Sequence, residues 1–413
     1  MPELFELRCE QCGRRFGNGP HVLCQDCFAP LEVAFDLQAV RAAVSRATIE
    51  ARATDIWRYR ELLPVADGFQ GTLPVGYTPL LRAPGLGRRL GSDDLWIKDD
   101  AACFPTLSFK DRVVAVALAQ ARAFGFEVVG CASTGNLANA VAAQAARLGL
   151  RAWVLIPADL EPAKVLGTAV YGAQVVRVAG NYDQVNRLCA EIAELHPWGL
   201  VNVNLRPYYA EGSKTVGFEI AEQLGWRLPD NVVVPMAGGA QISKIAKAFA
   251  ELVATGLVEA HPVRLFGAQA LGCSPIASAI AEEGSEIIPQ IPDTICRSLA
   301  IGNPADGYRA LGVIRASGGW TGSATDPEIV AGMRLLAAEE GIFGETAAGV
   351  TVAVAGQLLR DGRIKAAETT VVCVTGNGLK TTDALVGALP EIALLSPRIE
   401  AFEEHLGAVL VNA

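Results

Sequence analysis

Apolar positions along the chain follow two alternating rhythms. From Leu95 onward, short β-branched runs occupy Val128 to Cys131, Ala152 to Ile156, Val175 to Val178, Asn231 to Val234, Arg264 to Ala268 and Thr370 to Val374. Between and after them lie runs with apolar residues at helical spacing: Arg112 to Phe124, Leu137 to Leu148, Tyr182 to Leu195, Glu211 to Leu224, Ser243 to Ala254, Asp326 to Glu340 and Ala347 to Leu359. Strands that are apolar throughout, each followed by a helix, predict parallel βαβ units with helices on both faces of the sheet. Two stretches break the rhythm. The Pro- and Gly-rich region Leu63 to Gly91 reads as a linker or wrapping segment. Glu282 to Gly319 has weak periodicity and many turn residues, which fits a functional loop or a surface excursion equally well.

The chain has 413 residues, more than one hydrophobic core usually serves, so two or three folded units are expected. A net charge of −9 disfavours bulk binding to nucleic acid or anionic membranes, while leaving room for a local basic pocket. There is no apolar run of membrane-spanning length, and Met-Pro-Glu-Leu-Phe-Glu at the start lacks the features of a signal peptide, so a cytoplasmic protein is expected. Of ten cysteines, Cys103, Cys131, Cys189, Cys273, Cys296 and Cys373 are scattered and read as buried fillers. The other four form the pairs Cys9-Glu-Gln-Cys12 and Cys24-Gln-Asp-Cys27, a spacing that lets four thiolates close around Zn²⁺. The surrounding segment is too small to build a core without such a clip. Its mixed charges, Glu10 and Asp26 beside Arg8, Arg14 and Arg15, favour a structural appendage over a nucleic-acid module.

Lys110 stands where the turn Phe104-Pro-Thr-Leu-Ser-Phe-Lys-Asp-Arg112 meets an alanine-rich apolar run. A lysine so placed can lose its proton when desolvated and attack a carbonyl, which makes it a candidate Schiff-base residue. Ser133-Thr-Gly-Asn136 joins a strand to a helix start, where hydroxyls and backbone N–H groups stabilise an anion such as a substrate carboxylate. Pro235-Met-Ala-Gly-Gly-Ala-Gln241 repeats that arrangement, with glycines permitting close approach to a phosphate. A dinucleotide site is disfavoured because the G-x-G-x-x-G pattern is absent at this turn. Thr375-Gly-Asn-Gly378 presents a hydroxyl after the last strong strand, so three turns and Lys110 can meet at the carboxyl edge of one sheet.

Taken in order, Ser108-Phe-Lys-Asp-Arg112, Ser133-Thr-Gly-Asn136, the Gly238-Gly239 loop and Thr375-Gly-Asn-Gly-Leu-Lys380 resemble the fold-type II pyridoxal-phosphate enzymes, and threonine synthases most of all. The segment Glu211-Gly-Ser-Lys-Thr215, followed by Phe218-Glu219, and the cysteine ribbon strengthen that likeness. It implies an α/β fold like the tryptophan synthase β chain, with two open, mostly parallel sheets flanked by helices, plus a small N-terminal zinc ribbon. The expected division is residues 1–35 for the ribbon, 36–103 and 206–413 for a larger cofactor-binding α/β domain, and 104–205 for a smaller α/β domain.

The resemblance also implies roles. Lys110 would carry the cofactor covalently beside Phe109, Asn136 would meet its ring oxygen, and Ala237, Gly238, Gly239, Ala240 and Gln241 its phosphate. Thr375 would face its pyridine nitrogen, where a neutral hydroxyl favours elimination and replacement over transamination. Ser133, Thr134, Gly135, Arg206 and Tyr209 would hold an amino-acid substrate, and Cys9, Cys12, Cys24 and Cys27 a zinc ion. The implied reaction exchanges Lys110 for the substrate amine, removes the Cα proton with the freed lysine and expels a leaving group. Addition of water at Cβ then gives threonine. The likeness further implies a homodimer.

This chain departs from the family pattern near the supposed site. Leu107 replaces a glycine, Phe104 an asparagine, Gly238-Gly239 a Gly-Asn-Ala-Gly turn, and Glu345-Thr-Ala-Ala-Gly349 a Glu-Pro-Ala-Ser segment. Tyr209 stands where an arginine usually helps to hold the phosphate of O-phosphohomoserine. Either Arg206 takes its place or the leaving group differs. The competing readings are therefore a threonine synthase-like reaction, elimination or replacement at Cβ of O-phosphoserine, O-phosphothreonine or threonine, and a non-catalytic binding protein.

Overall fold

The structure, a computed structural model, describes residues 4–66, 69, 73–133, 135–158, 162–180, 182–390 and 392–412. Residues 4–381 form one compact unit containing three sheets. The smallest is antiparallel, with Phe5–Cys9 between Arg15–Phe16 and Leu31–Phe35. Phe5, Leu7 and Cys9 alternate inward on its central strand, and Leu7 and Val33 join the main hydrophobic core.

The second sheet has six strands in the order Thr321–Ala324, Arg264–Ala270, Asn231–Pro235, Thr370–Val374, Leu95–Asp99 and Leu80–Arg82. All its pairings are parallel except the last. Every residue of the two central strands is buried, as a sheet covered on both faces requires. The third sheet is wholly parallel, in the order Gln174–Val178, Arg151–Pro157, Val128–Ala132 and Gly199–Leu200. Fold class and sheet character thus match the expectation from the sequence. Residues 382–413 form a separate small unit with a 3₁₀ turn at Thr382–Leu385 and the helix Ile399–Asn412.

The alanine-rich run after the lysine is the helix Lys110–Ala123, buried continuously from Asp111 to Ala121. Small side chains let other elements approach it closely. One approach corrects the expected single helix from Glu211 to Leu224: the chain instead forms Arg206–Glu211 and Lys214–Gln223, interrupted at Gly212 and Ser213. At Gly212 a Cβ would lie 2.6 Å from the Arg112 carbonyl oxygen, so the close approach of the lysine helix requires glycine there.

Arg112 is completely buried at the start of the lysine helix. Its guanidinium donates to both Asp100 carboxylate oxygens at 2.8 Å, to Thr78 Oγ1 at 2.9 Å, to Thr215 Oγ1 at 3.0 Å, and to both oxygens of Glu219. Glu219 also accepts from Lys98 Nζ at 2.6 Å and from the backbone N–H of Tyr77 at 2.7 Å and Thr78 at 3.2 Å. Burial alone would raise the Glu219 carboxyl, but the Arg112 and Lys98 charges outweigh it and hold the group down at about 2. A carboxyl lowered on folding stabilises the fold above its unfolded titration range and loses that contribution as pH falls towards 2. Glu219→Gln is expected to cost about 3–5 kcal/mol, since it leaves Arg112 and Lys98 short of a buried counter-charge. Its unfolding free energy should also fall less steeply than the parent's between pH 5 and 2, measured by denaturant titration across that range.

Candidate active site

The lysine turn is fastened to the residues that follow the central strand Thr370–Val374 of the six-stranded sheet. Phe109 N–H donates to the Thr375 carbonyl at 2.9 Å, and Ser108 forms a bridge with Gly376. Thr106 donates through its backbone N–H and its hydroxyl to Asp111, at 2.9 and 2.8 Å, closing the turn from below. Burial pushes the Asp111 carboxyl up to about 6. Lys110, the first residue of its helix, then reaches Tyr209 on the helix Arg206–Glu211, with Nζ 3.0 Å from the phenol oxygen.

The structure brings most of the residues singled out in the sequence to one cleft: Phe109, Lys110, Ser133, Asn136, Arg206, Tyr209, the run Ala237 to Gln241, and Thr375. Gly135 is not among the lining residues; its φ of 131° and a would-be Cβ 2.2 Å from Lys164 Cδ demand glycine. Thr134 lies outside the described residues. Ser133 Oγ accepts from the N–H groups of Gly135 and Ala138 at 3.0 and 2.9 Å, so it caps the helix Asn136–Leu148 while also facing the cleft.

Asn136 is engaged on both sides of its amide. Its Nδ2 donates to the two carboxylate oxygens of Glu345 at 3.0 Å, and its Oδ1 accepts from Lys380 Nζ at 3.1 Å. Glu345 is buried, and its own N–H donates to the Gly376 carbonyl at 2.9 Å. A Cβ on Gly376 would come within 2.3 Å of Glu345 Oε1, so glycine there is what admits the carboxylate. Burial pulls the Lys380 ammonium down, against the opposing pull of Glu345 and Asp111.

At the glycine turn, Gly239 takes a φ of 92° and opens the helix Ala240–Ala254, whose first turn has no side-chain cap. Gln241 Nε2 is buried there, and with Ser108 Oγ it is left without a hydrogen-bond partner among the described residues. A buried amide donor with nothing to bind, beside an uncapped helix start, fits the phosphate of pyridoxal phosphate. Arg206 lines the same cleft and donates to Asp306 Oδ2 at 2.8 Å, while Asp306 N–H donates to the Gly238 carbonyl at 2.9 Å.

Sequence patterns did not single out Tyr182, Asn186, Asn202, Ser298, Asn303 or Asp306, all of which line the cleft. Ser298, Asn303 and Asp306 belong to the weakly periodic region flagged in the sequence; the others had no comparable signal. Glu345, seen before only as part of a departing segment, is a lining residue as well.

The four paired cysteines converge. Their sulfurs lie within 4.8 Å of one another, with Cys9 to Cys27 at 3.4 Å and Cys12 to Cys24 at 3.6 Å. A tetrahedral thiolate site with metal–sulfur bonds of about 2.3 Å has edges of about 3.8 Å, so the cluster is placed to hold a metal ion. His21 stacks near Phe16 and is not part of the cluster.

The chain resembles known proteins over most of its length. The sequence profile of a family described as "Pyridoxal-phosphate dependent enzyme" matches residues 71–376. The threonine synthase of Methanocaldococcus jannaschii is 38% identical over 387 residues, 93% of this chain and 95% of that protein. The threonine synthase of Methanosarcina acetivorans is 34% identical over 406 residues, 98% and 99% of the two chains. Among solved structures, diaminopropionate ammonia lyase from Escherichia coli superimposes with a TM-score of 0.64 at 18% identity, covering 83% of this chain and 91% of that one, a likeness of fold.

Gly376→Ala is expected to displace the Glu345 carboxylate, release Asn136 and cost about 1–3 kcal/mol of stability as an overpacked site. Titrating the purified protein with pyridoxal phosphate and following absorbance should show weaker cofactor binding than in the parent.

Proposed function

The chain belongs to the threonine synthase family of fold-type II pyridoxal-phosphate-dependent enzymes, and on that premise we propose that this carbon–oxygen lyase converts O-phosphohomoserine and water to threonine and phosphate. The observation that carries the reading is that one short helix, Arg206–Glu211, brings both the Tyr209 hydroxyl to Lys110 and the Arg206 guanidinium to the lysine cleft. The cofactor, when bound, supplies the electron sink that makes the substrate Cα proton removable.

The cofactor would be held by Lys110 and Phe109, by the turn Ala237 to Gln241 at its phosphate, by Asn136 at its ring oxygen and by Thr375 at its ring nitrogen. Lys110 then moves the protons: it takes one from the substrate, and Tyr209 keeps the amine pointed into the cleft. The start of the helix Asn136–Leu148, beside Ser133, would stabilise the substrate carboxylate. Arg206 faces the leaving phosphate, where a guanidinium makes charge-assisted hydrogen bonds that a lysine matches less well.

Zinc is our reading of the ion at Cys9, Cys12, Cys24 and Cys27, as a structural clip on the ribbon. Among the described residues no helix is long and apolar enough to cross a membrane. A homodimer acting in the cytoplasm completes the reading.

With cofactor-loaded protein, O-phosphohomoserine is expected to yield threonine and phosphate in equal amounts, assayed by amino-acid analysis and phosphate release. Turnover of O-phosphoserine with none of O-phosphohomoserine would move the reaction to Cβ elimination or replacement. Lys110→Ala should lose at least about a thousandfold in kcat, since both proton transfer and cofactor attachment depend on it. Elemental analysis should find one zinc per chain, and Cys9→Ser should remove it and lower the melting temperature, because binding free energy of this kind is folding free energy.

A further inference from the structure

The helix Arg206–Glu211, which presents Arg206 and Tyr209 to the cleft, is held from behind by the cysteine ribbon at three points. Tyr208 is wholly buried; its hydroxyl lies 2.8 Å from both Asn18 Oδ1 and the Gly19 carbonyl, and accepts from Gly19 N–H at 2.9 Å. Asn18 and Gly19 sit on the loop between the two cysteine pairs. At the far end of the helix, Glu211 accepts from Lys244 at 2.6 Å and from Lys247 at 2.8 Å, and both lysines also pair with Glu32 of the ribbon. The third point runs through Arg206 itself. Its partner Asp306 pairs with Arg309 at 3.2 Å, and Arg309 pairs in turn with Glu32 at 3.3 Å and with Glu10, the residue following Cys9.

We propose that the ribbon is a positioning element for the active site, in which Glu10 and Arg309 act through Asp306 to fix the Arg206 guanidinium where the substrate's phosphate binds. The proposal rests on the reading that Arg206 takes that phosphate. The Arg309–Glu10 pair is the most open of Arg309's ion pairs, at 25% and 35% exposure, and a pair open to water adds little to folding stability. Its effect is therefore geometric. Asp306 can hold Arg206 in one place only if its own carboxylate is held, and Arg309, anchored on the ribbon, does that. Because Asp306 N–H also donates to the Gly238 carbonyl, the same relay ends at the glycine turn.

The test uses the full-length, cofactor-loaded enzyme carrying Glu10→Gln, Arg309→Met or Arg309→Lys. It measures KM and kcat with O-phosphohomoserine, the affinity for inorganic phosphate by calorimetry, and the melting temperature. Glu10→Gln and Arg309→Met should raise KM about fivefold and weaken phosphate binding by a similar factor. They should leave kcat within about twofold and melting within about two degrees. Arg309→Lys should restore most of the affinity. Unchanged KM and phosphate affinity in both Glu10→Gln and Arg309→Met, alongside a clear loss in Arg206→Met, would overturn the proposal and leave the reading of Arg206 standing. If Arg206→Met changes neither quantity, that reading fails and the proposal goes with it.

Discussion

A single buried carboxylate, Glu219, holds the framework on which the cleft depends. It gathers Arg112 from the lysine helix, Lys98 from the six-stranded sheet and the backbone of Tyr77 and Thr78 from the segment that wraps over them. Each of those groups is costly to bury alone, and each is satisfied only when the other elements arrive. The arrangement therefore specifies one docking of helix against sheet. Because Arg112 lies two residues beyond Lys110, fixing the guanidinium also fixes where the lysine side chain leaves the helix.

Around that anchor, the cleft is assembled from groups held in place and groups left uncommitted. Lys110, Asn136 and Arg206 are each tied to a neighbour, which sets their direction. Gln241 Nε2, by contrast, is buried with no partner among the described residues, and the helix start beside it has no side-chain cap. An unpaired buried donor is normally a liability, and beside the glycine turn it would be satisfied by an anion such as the cofactor's phosphate. Glycines at 135 and 376 do complementary work by leaving out a methyl group where Lys164 and the Glu345 carboxylate must pass.

Much of this was legible in the sequence, and for identifiable reasons. Parallel strands buried on both faces leave uninterrupted apolar runs, so Thr370–Val374 was read residue for residue and Asn231–Pro235 to within one residue. The lysine turn, both anion-type turns and the cysteine pairs are local motifs, in which spacing carries the chemistry. What the sequence hid were contacts made across distance. The need for glycine at position 212 comes from the Arg112 carbonyl about a hundred residues away along the chain. Asp306 reaches the cleft from a region with little periodicity, and Glu345 is brought to Asn136 by the fold alone. The short helix Arg206–Glu211, with a proline among its first residues, is too brief to show a helical stripe.

The order of strands in the six-stranded sheet has a consequence for how the protein is made. Thr370–Val374 lies at the centre of that sheet, between Asn231–Pro235 and Leu95–Asp99, yet it is the last of its strands to be synthesised. Until it inserts, the strands that will flank it each present an unpaired edge, the kind of surface that pairs with other chains. Thr375 follows directly on that strand, so the cleft lacks one lining residue until the sheet is closed. A nascent chain thus completes its cleft only in the step that closes those unpaired edges.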